Sequence, residues 1–310
     1  MLNAENKKPI NSGIQILRVI LCLWVLSYHY LNAKKLNYFL FYVIKTKFFH
    51  VPCFSFITFF YSYNIFSKAK IAKVKNRFER LLIPYIIWPI FIFIQRNFFN
   101  ENRKIYLQQL KNQLIIGSKF MVHFWYLFSV IILTIFFYIL SRLFKKHFLF
   151  SIQLLMILSY VILYSKNYLF LFKYKDYVRY SILGMLGIFP ICISALIIAS
   201  LNVAQKLKIY WKHSLLFSFI SIYILLRYDL FVILKGSKGV MNNIAAISFF
   251  FGFYLLPLEN INYTMAKMIK IITNYTQGIY CLQSEMIPFV KRNFDPEGTF
   301  KGCIIKILYL

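Results

Sequence analysis

Cysteine is scarce in this chain and scattered. Cys22, Cys53, Cys192, Cys281 and Cys303 form no CxxC pair and no Cys/His spacing, and four of them lie within apolar runs. They read as small core side chains. Histidine is equally dispersed: His50, His123, His147 and His213 fall at separate loops or helix ends, so the sequence offers no ligand set for a metal. Acids are rarer still for the length, 9 Asp plus Glu against 37 Lys plus Arg. Also missing are a Gly/Ser linker, a low-complexity tract, a soluble domain and an inverted repeat, the last being the pattern that favours a secondary transporter. The chemistry of such a chain has to take place in the membrane or at its surfaces.

What fills the sequence is hydrocarbon. Of 310 residues 60% are apolar and 20% aromatic, and the mean hydropathy is +0.62, more than a soluble domain needs for its core. Apolar runs long enough to cross a bilayer occur near 14–32, 48–66, 81–99, 121–141, 148–165, 180–201, 214–234, 240–258 and 275–290. The expected fold is therefore all-α, a polytopic transmembrane helix bundle of about nine to ten spans, forming one domain over 1–310. The first run follows a polar leader with Lys7 and Lys8, is too long for a signal-peptide core and has no small-residue cleavage site, so it reads as a helix that is kept. After the ninth run comes CIIKILYL, eight residues that cannot span; the chain stops short of a further helix after 303 or ends on a surface stub.

A formal charge of +28 on a soluble protein would suggest nucleic acid. Here the basic residues sit in the joints between apolar runs, where they meet anionic headgroups and set orientation. The partner is a lipid bilayer and no nucleic acid. The densest joint, KAKIAKVKNRFER, is placed in the cytoplasm, and with two spans before it the N-terminus is cytoplasmic too. The joints at 33–47 and 96–119 are also basic, which keeps the opposite orientation open.

Polar groups inside the apolar runs are the candidates for function. Arg18 and His29 share the first run, and their eleven-residue separation returns to within about 20° of one helix face with a rise of roughly 16 Å. An ionisable group at membrane depth costs on the order of 3 kcal/mol and turns toward a bundle interior or wet cavity. The competing reading has each of them snorkel to its own interface. In the second run Ser55, Thr58, Ser62 and Tyr63 form a hydroxyl cluster behind Pro52, and such hydroxyls usually bond helix carbonyls. Arg77 and Arg80, three apart, can clamp a phosphate bidentately or simply anchor the helix at the interface. His123, Trp125 and Tyr126 open the fourth run as an aromatic belt would. The last run carries Gly278, Tyr280, Gln283 and Glu285, and Glu285 stands out as one of only two acids inside apolar runs.

The order of these pieces resembles the acyltransferase 3 family, integral-membrane enzymes that O-acylate polysaccharides and other envelope or small-molecule acceptors. The resemblance rests on Arg18, ten residues and His29; on Arg-x-x-Arg-Leu-Leu-Ile-Pro-Tyr-x-x-Trp from Arg77 to Trp88; on His-Phe-Trp-Tyr-Leu from His123; and on the late Gly-Ile-Tyr at 278–280. It covers nearly the whole chain. It implies that His29 is the essential acid/base, that Arg18 belongs to the same site, and that Arg77 and Arg80 match the family's arginine pair. It further implies acyl-CoA, by expectation acetyl-CoA, as co-substrate, no tightly bound cofactor, and a carbohydrate or glycan acceptor. Thr58, His123, Trp125, Tyr280, Gln283 and Glu285 are the expected site lining. Two positions depart from the pattern: Thr58-Phe59 stands where many members have Ser-Gly, and Gln283, which cannot titrate, where a His often follows. The alternative from another class is a polysaccharide or lipid-linked sugar exporter or flippase, in which the arginines bind phosphate and no acyl group moves.

Overall fold

The computed structural model describes residues 11–30, 50–68, 71–99, 103–117, 124–164, 177–203, 207–227, 238–258, 264–273 and 275–276, and these residues contain no strand. The helices are α1 (Ser12–Tyr30), α2 (His50–Phe60), α3 (Tyr63–Ser67), α4 (Ile71–Phe99), α5 (Arg103–Ile116), α6 (Trp125–Phe144), α7 (Phe148–Tyr164), α8 (Tyr177–Ser200), α9 (Trp211–Arg227) and α10 (Lys238–Tyr254). A further helical segment follows over 264–273.

Each apolar run up to 258 carries one of these helices, and three boundaries differ from the sequence expectation. The second run is broken at Tyr61 and Ser62, so α2 and α3 are separate. The basic joint before the third run is helical from Ile71, which puts Lys73, Lys75, Arg77 and Arg80 on the same rod as the apolar stretch. The polar joint at 97–119 holds α5, whose C-terminus is closed by Gly117 at φ 76°, the left-handed geometry that glycine supplies without steric cost. Of the ninth run only 275–276 is described. One helical stretch among the described residues, Trp125–Val161, is long and apolar enough to cross a membrane; Ser12–Ser27 and Gly184–Ser200 are shorter apolar helices. The long stretch changes direction at Lys145, φ 24°, where α6 gives way to α7.

The centre of the bundle is α8, which packs on α2, α6 and α7. Its inward stripe, Ile188, Ile191, Cys192, Ala195 and Leu196, is fully buried, and the small members of the stripe let neighbouring backbones approach. A second close pair is α9 with α10, where the Ser218 hydroxyl donates to the Ser248 carbonyl at 2.5 Å and Gly252 makes room for the Ser218 side chain. At the start of α1, Asn11 caps the helix by accepting from the Ile14 amide at 3.2 Å and donates to the Tyr254 carbonyl at 2.6 Å. That one side chain fixes α1 to the end of α10.

The interior is mainly apolar, and so is much of the exterior. Ile83, Ile87, Phe91 and Ile94 on α4, Phe150, Ile157 and Val161 on α7, and Phe217 and Phe219 on α9 are each more than half exposed. Buried serines and threonines meet their needs within their own helices: Ser55 donates to the Val51 carbonyl, Ser129 to Trp125, Thr134 to Val130, and Ser194 to Pro190, all within 3.0 Å. Hydroxyls that bond the preceding turn need no water, and an isoleucine-faced exterior is suited to hydrocarbon.

Candidate functional site

α1, α2, α3, α4 and α6 enclose a cavity of about 610 Å³, within the size range of small-molecule sites. α1 contributes Ile14, Arg18 and Cys22, successive residues of one helical stripe. α2 contributes Phe54, Ile57 and Thr58; α6 contributes Tyr126, Leu127 and Val130. α4 presents Lys73, Asn76, Arg77, Arg80 and Leu81, again at steps of three and four. Tyr61, Ile65 and Thr276 complete the wall.

Arg18 is held from the segment that follows α10. Its Nη2 donates to Thr276 Oγ1 at 3.4 Å, and the Thr276 hydroxyl donates onward to the Thr273 carbonyl at 2.7 Å. One turn further along α1, Cys22 Sγ lies 3.8 Å from the Thr276 carbonyl. The Thr273 hydroxyl reaches the Gln15 carbonyl at 3.3 Å, so the same two threonines bracket the turn of α1 that carries Arg18.

Arg77 is fixed differently. Its Nε donates to Thr134 Oγ1 at 3.3 Å on α6, its Nη1 to the Thr58 carbonyl at 3.5 Å on α2, and its guanidinium lies 5.5 Å from the centre of the Phe59 ring. The third nitrogen, Nη2, is buried and has no hydrogen-bond partner among the described residues. The Tyr126 hydroxyl interacts with Thr58 and Ser55 and lies within electrostatic reach of both Arg18 and Arg77. Phe59, the departure beside Thr58, supplies the ring face that receives the guanidinium.

Among the described residues the lining contains four cations, Arg18, Lys73, Arg77 and Arg80, and no Asp or Glu. Glu79 is on α4 but turned outward, 3.9 Å from Lys75. Four positive groups on an apolar wall raise the local potential and concentrate anions. A guanidinium with an uncommitted N–H donor, as at Arg77 Nη2, fits the oxygens of phosphate or carboxylate.

Of the residues expected from the sequence, the structure brings Arg18, Thr58, Arg77 and Arg80 to this one cavity. Trp125 is not in its lining and packs against Gly184 of α8, where a side chain would strike the indole. The backbone at His29 continues α1 on the stripe that carries Arg18, near the helix end; its side chain is outside the described residues, as are His123, Tyr280, Gln283 and Glu285. Among the described residues no group of His, Cys, Asp and Glu is placed to hold a metal ion. The lining residues that were not expected are Tyr61, Lys73, Asn76, Tyr126 and Thr276. Lys73 and Asn76 were within reach of sequence reasoning, since they share the helical stripe of Arg77 and Arg80 once the basic joint is read as helix. Tyr126 gives no such signal, because a tyrosine at the start of an apolar run looks the same in an interface belt.

Comparison with curated proteins and with solved structures finds no match. A family model, that of an acyltransferase domain, matches residues 11–308. The match takes in the α1 stripe with Arg18 and His29 and the α4 stripe with Arg77 and Arg80, and it spans nearly every residue: the chain belongs to the acyltransferase 3 family.

Proposed function

We propose that the protein is a multi-pass membrane acyltransferase that moves an acyl group, acetyl as the first choice, from acyl-CoA to a hydroxyl of a sugar or envelope polysaccharide. The observation that carries the reading is the cavity in which Arg18, Arg77 and Arg80 meet, with no acid among its described lining residues. A CoA thioester is a polyanion with an apolar arm, and this wall offers cations at α4 and apolar side chains between α1 and α2. Arg77 and Arg80 take nucleotide phosphates, and the pantetheine arm passes Arg18 toward His29.

His29 acts as the general base. Neutral imidazole accepts the proton of the acceptor hydroxyl as its oxygen attacks the thioester carbonyl. The tetrahedral oxyanion collapses with cleavage of the C–S bond, the proton passes to the departing thiolate, and an ester and free CoA leave. The N-terminus is cytoplasmic, so the basic end of α4 faces the cytoplasm, where acyl-CoA is made.

Transfer of label from acetyl-CoA to a glycan fraction, in membranes holding wild type or His29→Ala at matched expression, tests the proposal. Label only with wild type is the expected result. Full activity in a stable His29→Ala protein removes the base. Background label in both, with a glycan still exported, replaces the reading with the transport alternative.

A further inference from the structure

Arg77 and Arg80 do not account for the whole charge of the α4 stripe. Lys73 lies one turn before Arg77, lines the same cavity and is exposed, with Asn76 beside it. Seven residues separate Lys73 from Arg80, about 10.5 Å along the helix axis. The Arg77 guanidinium is committed at Nε and Nη1 by its bonds to Thr134 on α6 and Thr58 on α2. Lys75 is the lysine that meets Glu79, at 3.9 Å on the other side of α4. The stripe therefore offers two anion positions: an inner one at Arg77, with a buried and uncommitted Nη2, and an outer one at Lys73 and Asn76.

A ligand with one phosphate or one diphosphate uses the inner position only. A CoA-type donor carries a diphosphate and, on the ribose, a separate phosphate monoester. We infer that Lys73 and Asn76 form a second phosphate subsite that reads the ribose 3′-phosphate while Arg77 and Arg80 hold the diphosphate. The inference rests on the donor class given under Proposed function, and it adds a selectivity: the site distinguishes CoA from 3′-dephospho-CoA. Lysine suits the outer position, since a compact ammonium on a flexible stem follows a monoester dianion without needing a fixed fork.

Binding of CoA and of 3′-dephospho-CoA to the purified full chain in lipid nanodiscs tests this without relying on turnover. Wild type is expected to prefer CoA by about tenfold or more, the size of one charge-assisted contact. Lys73→Met should weaken CoA by that factor and leave 3′-dephospho-CoA unchanged, which also shows that the variant is folded; Lys73→Arg should keep most of the preference. Equal weakening of both ligands by Lys73→Met, or a wild type without preference, overturns the subsite and leaves the donor class standing. A wild type that binds neither overturns both. Binding with the expected preference but no transfer to any acceptor supports the subsite and removes the acyltransferase reading.

Discussion

Arg77 combines two properties that rarely coexist in a residue kept for stability. It is a half-buried cation whose Nη2 is buried, it has no acid partner among the described residues, and its two protein hydrogen bonds, 3.3 and 3.5 Å, are long for charge-assisted contacts. Thr58 and Thr134 do not depend on it, because the Thr58 carbonyl also accepts from Ser62 at 2.5 Å and the Thr134 hydroxyl donates to Val130 at 2.7 Å. Burial of a charge that the protein itself does not neutralise costs stability, and replacing such a group by an apolar one of similar length is often neutral or stabilising. Arg77→Met should therefore keep or raise the thermal midpoint in the absence of ligand while weakening acetyl-CoA binding by at least about tenfold. Arg77→Lys, which keeps the charge but loses the fork, should fall between the two in binding. A fall in the midpoint of more than about 4 °C for Arg77→Met would mean that the guanidinium is there to hold α2 to α6 rather than to receive an anion.

At the scale of the element, the contact that places the α6 wall of the site is the one between Trp125 and Gly184 of α8. Trp125 begins α6, next to the cavity residue Tyr126, and its ring occupies the space that a side chain at 184 would need. Gly187, one turn further along α8, has nothing within 4 Å of where its Cβ would be. The two glycines thus form an internal comparison. Gly184→Ala should cost about 1–3 kcal/mol by overpacking and lower donor affinity, because the displaced indole carries Tyr126 with it. Gly187→Ala should be neutral or stabilising, by up to about 1 kcal/mol from helix propensity. Thermal midpoints and acetyl-CoA binding of both variants check this, and equal behaviour of the two would show that the indole relocates at little cost. The family resemblance implies Trp125 as site lining through the run His-Phe-Trp-Tyr-Leu; residues adjacent on a helix point about 100° apart, and of the described residues of this run Tyr126 and Leu127 are the ones that line the cavity. For the arginines, the cost of a cation in an apolar run marks Arg18 as a candidate, while snorkelling of Arg18 and interface anchoring of Arg77 and Arg80 stay open on the residues alone. It is the family resemblance that implies a site role for all three. The break between α2 and α3 was not legible, since aromatic and hydroxyl residues run through Tyr61 and Ser62 without a proline or glycine to mark it.

The whole molecule adds a direction. Cations of the cavity come mainly from the first three turns of α4, and the rest of that helix exposes Ile83, Ile87, Phe91 and Ile94. A helix that is basic and wet at its start and apolar outside afterwards sets its start at an interface and its remainder in hydrocarbon. On the proposed reading the donor would enter at that end. If the start of α4 faces the cytoplasm, acyl-CoA reaches the cavity directly; if it faces outward, a cytoplasmic donor cannot, and the acyl-CoA assignment fails with it. Lys75 is exposed on the first turns of α4, facing away from the cavity lining, and so reports on the side without disturbing the site. Cys53 and Cys192 are buried away from the cavity, so Lys75→Cys in a chain with Cys22, Cys281 and Cys303 replaced by serine presents one accessible thiol. A membrane-impermeant maleimide should leave it unlabelled in intact cells and modify it once the membrane is opened, while acetyl transfer by the labelled protein stays near that of the parent. Labelling in intact cells would place the basic end outside. The anion held by Arg77 would then have to be an extracytoplasmic phosphate, such as that of a lipid-linked sugar, and the four cations would describe the acceptor or a transported substrate instead of the acyl donor.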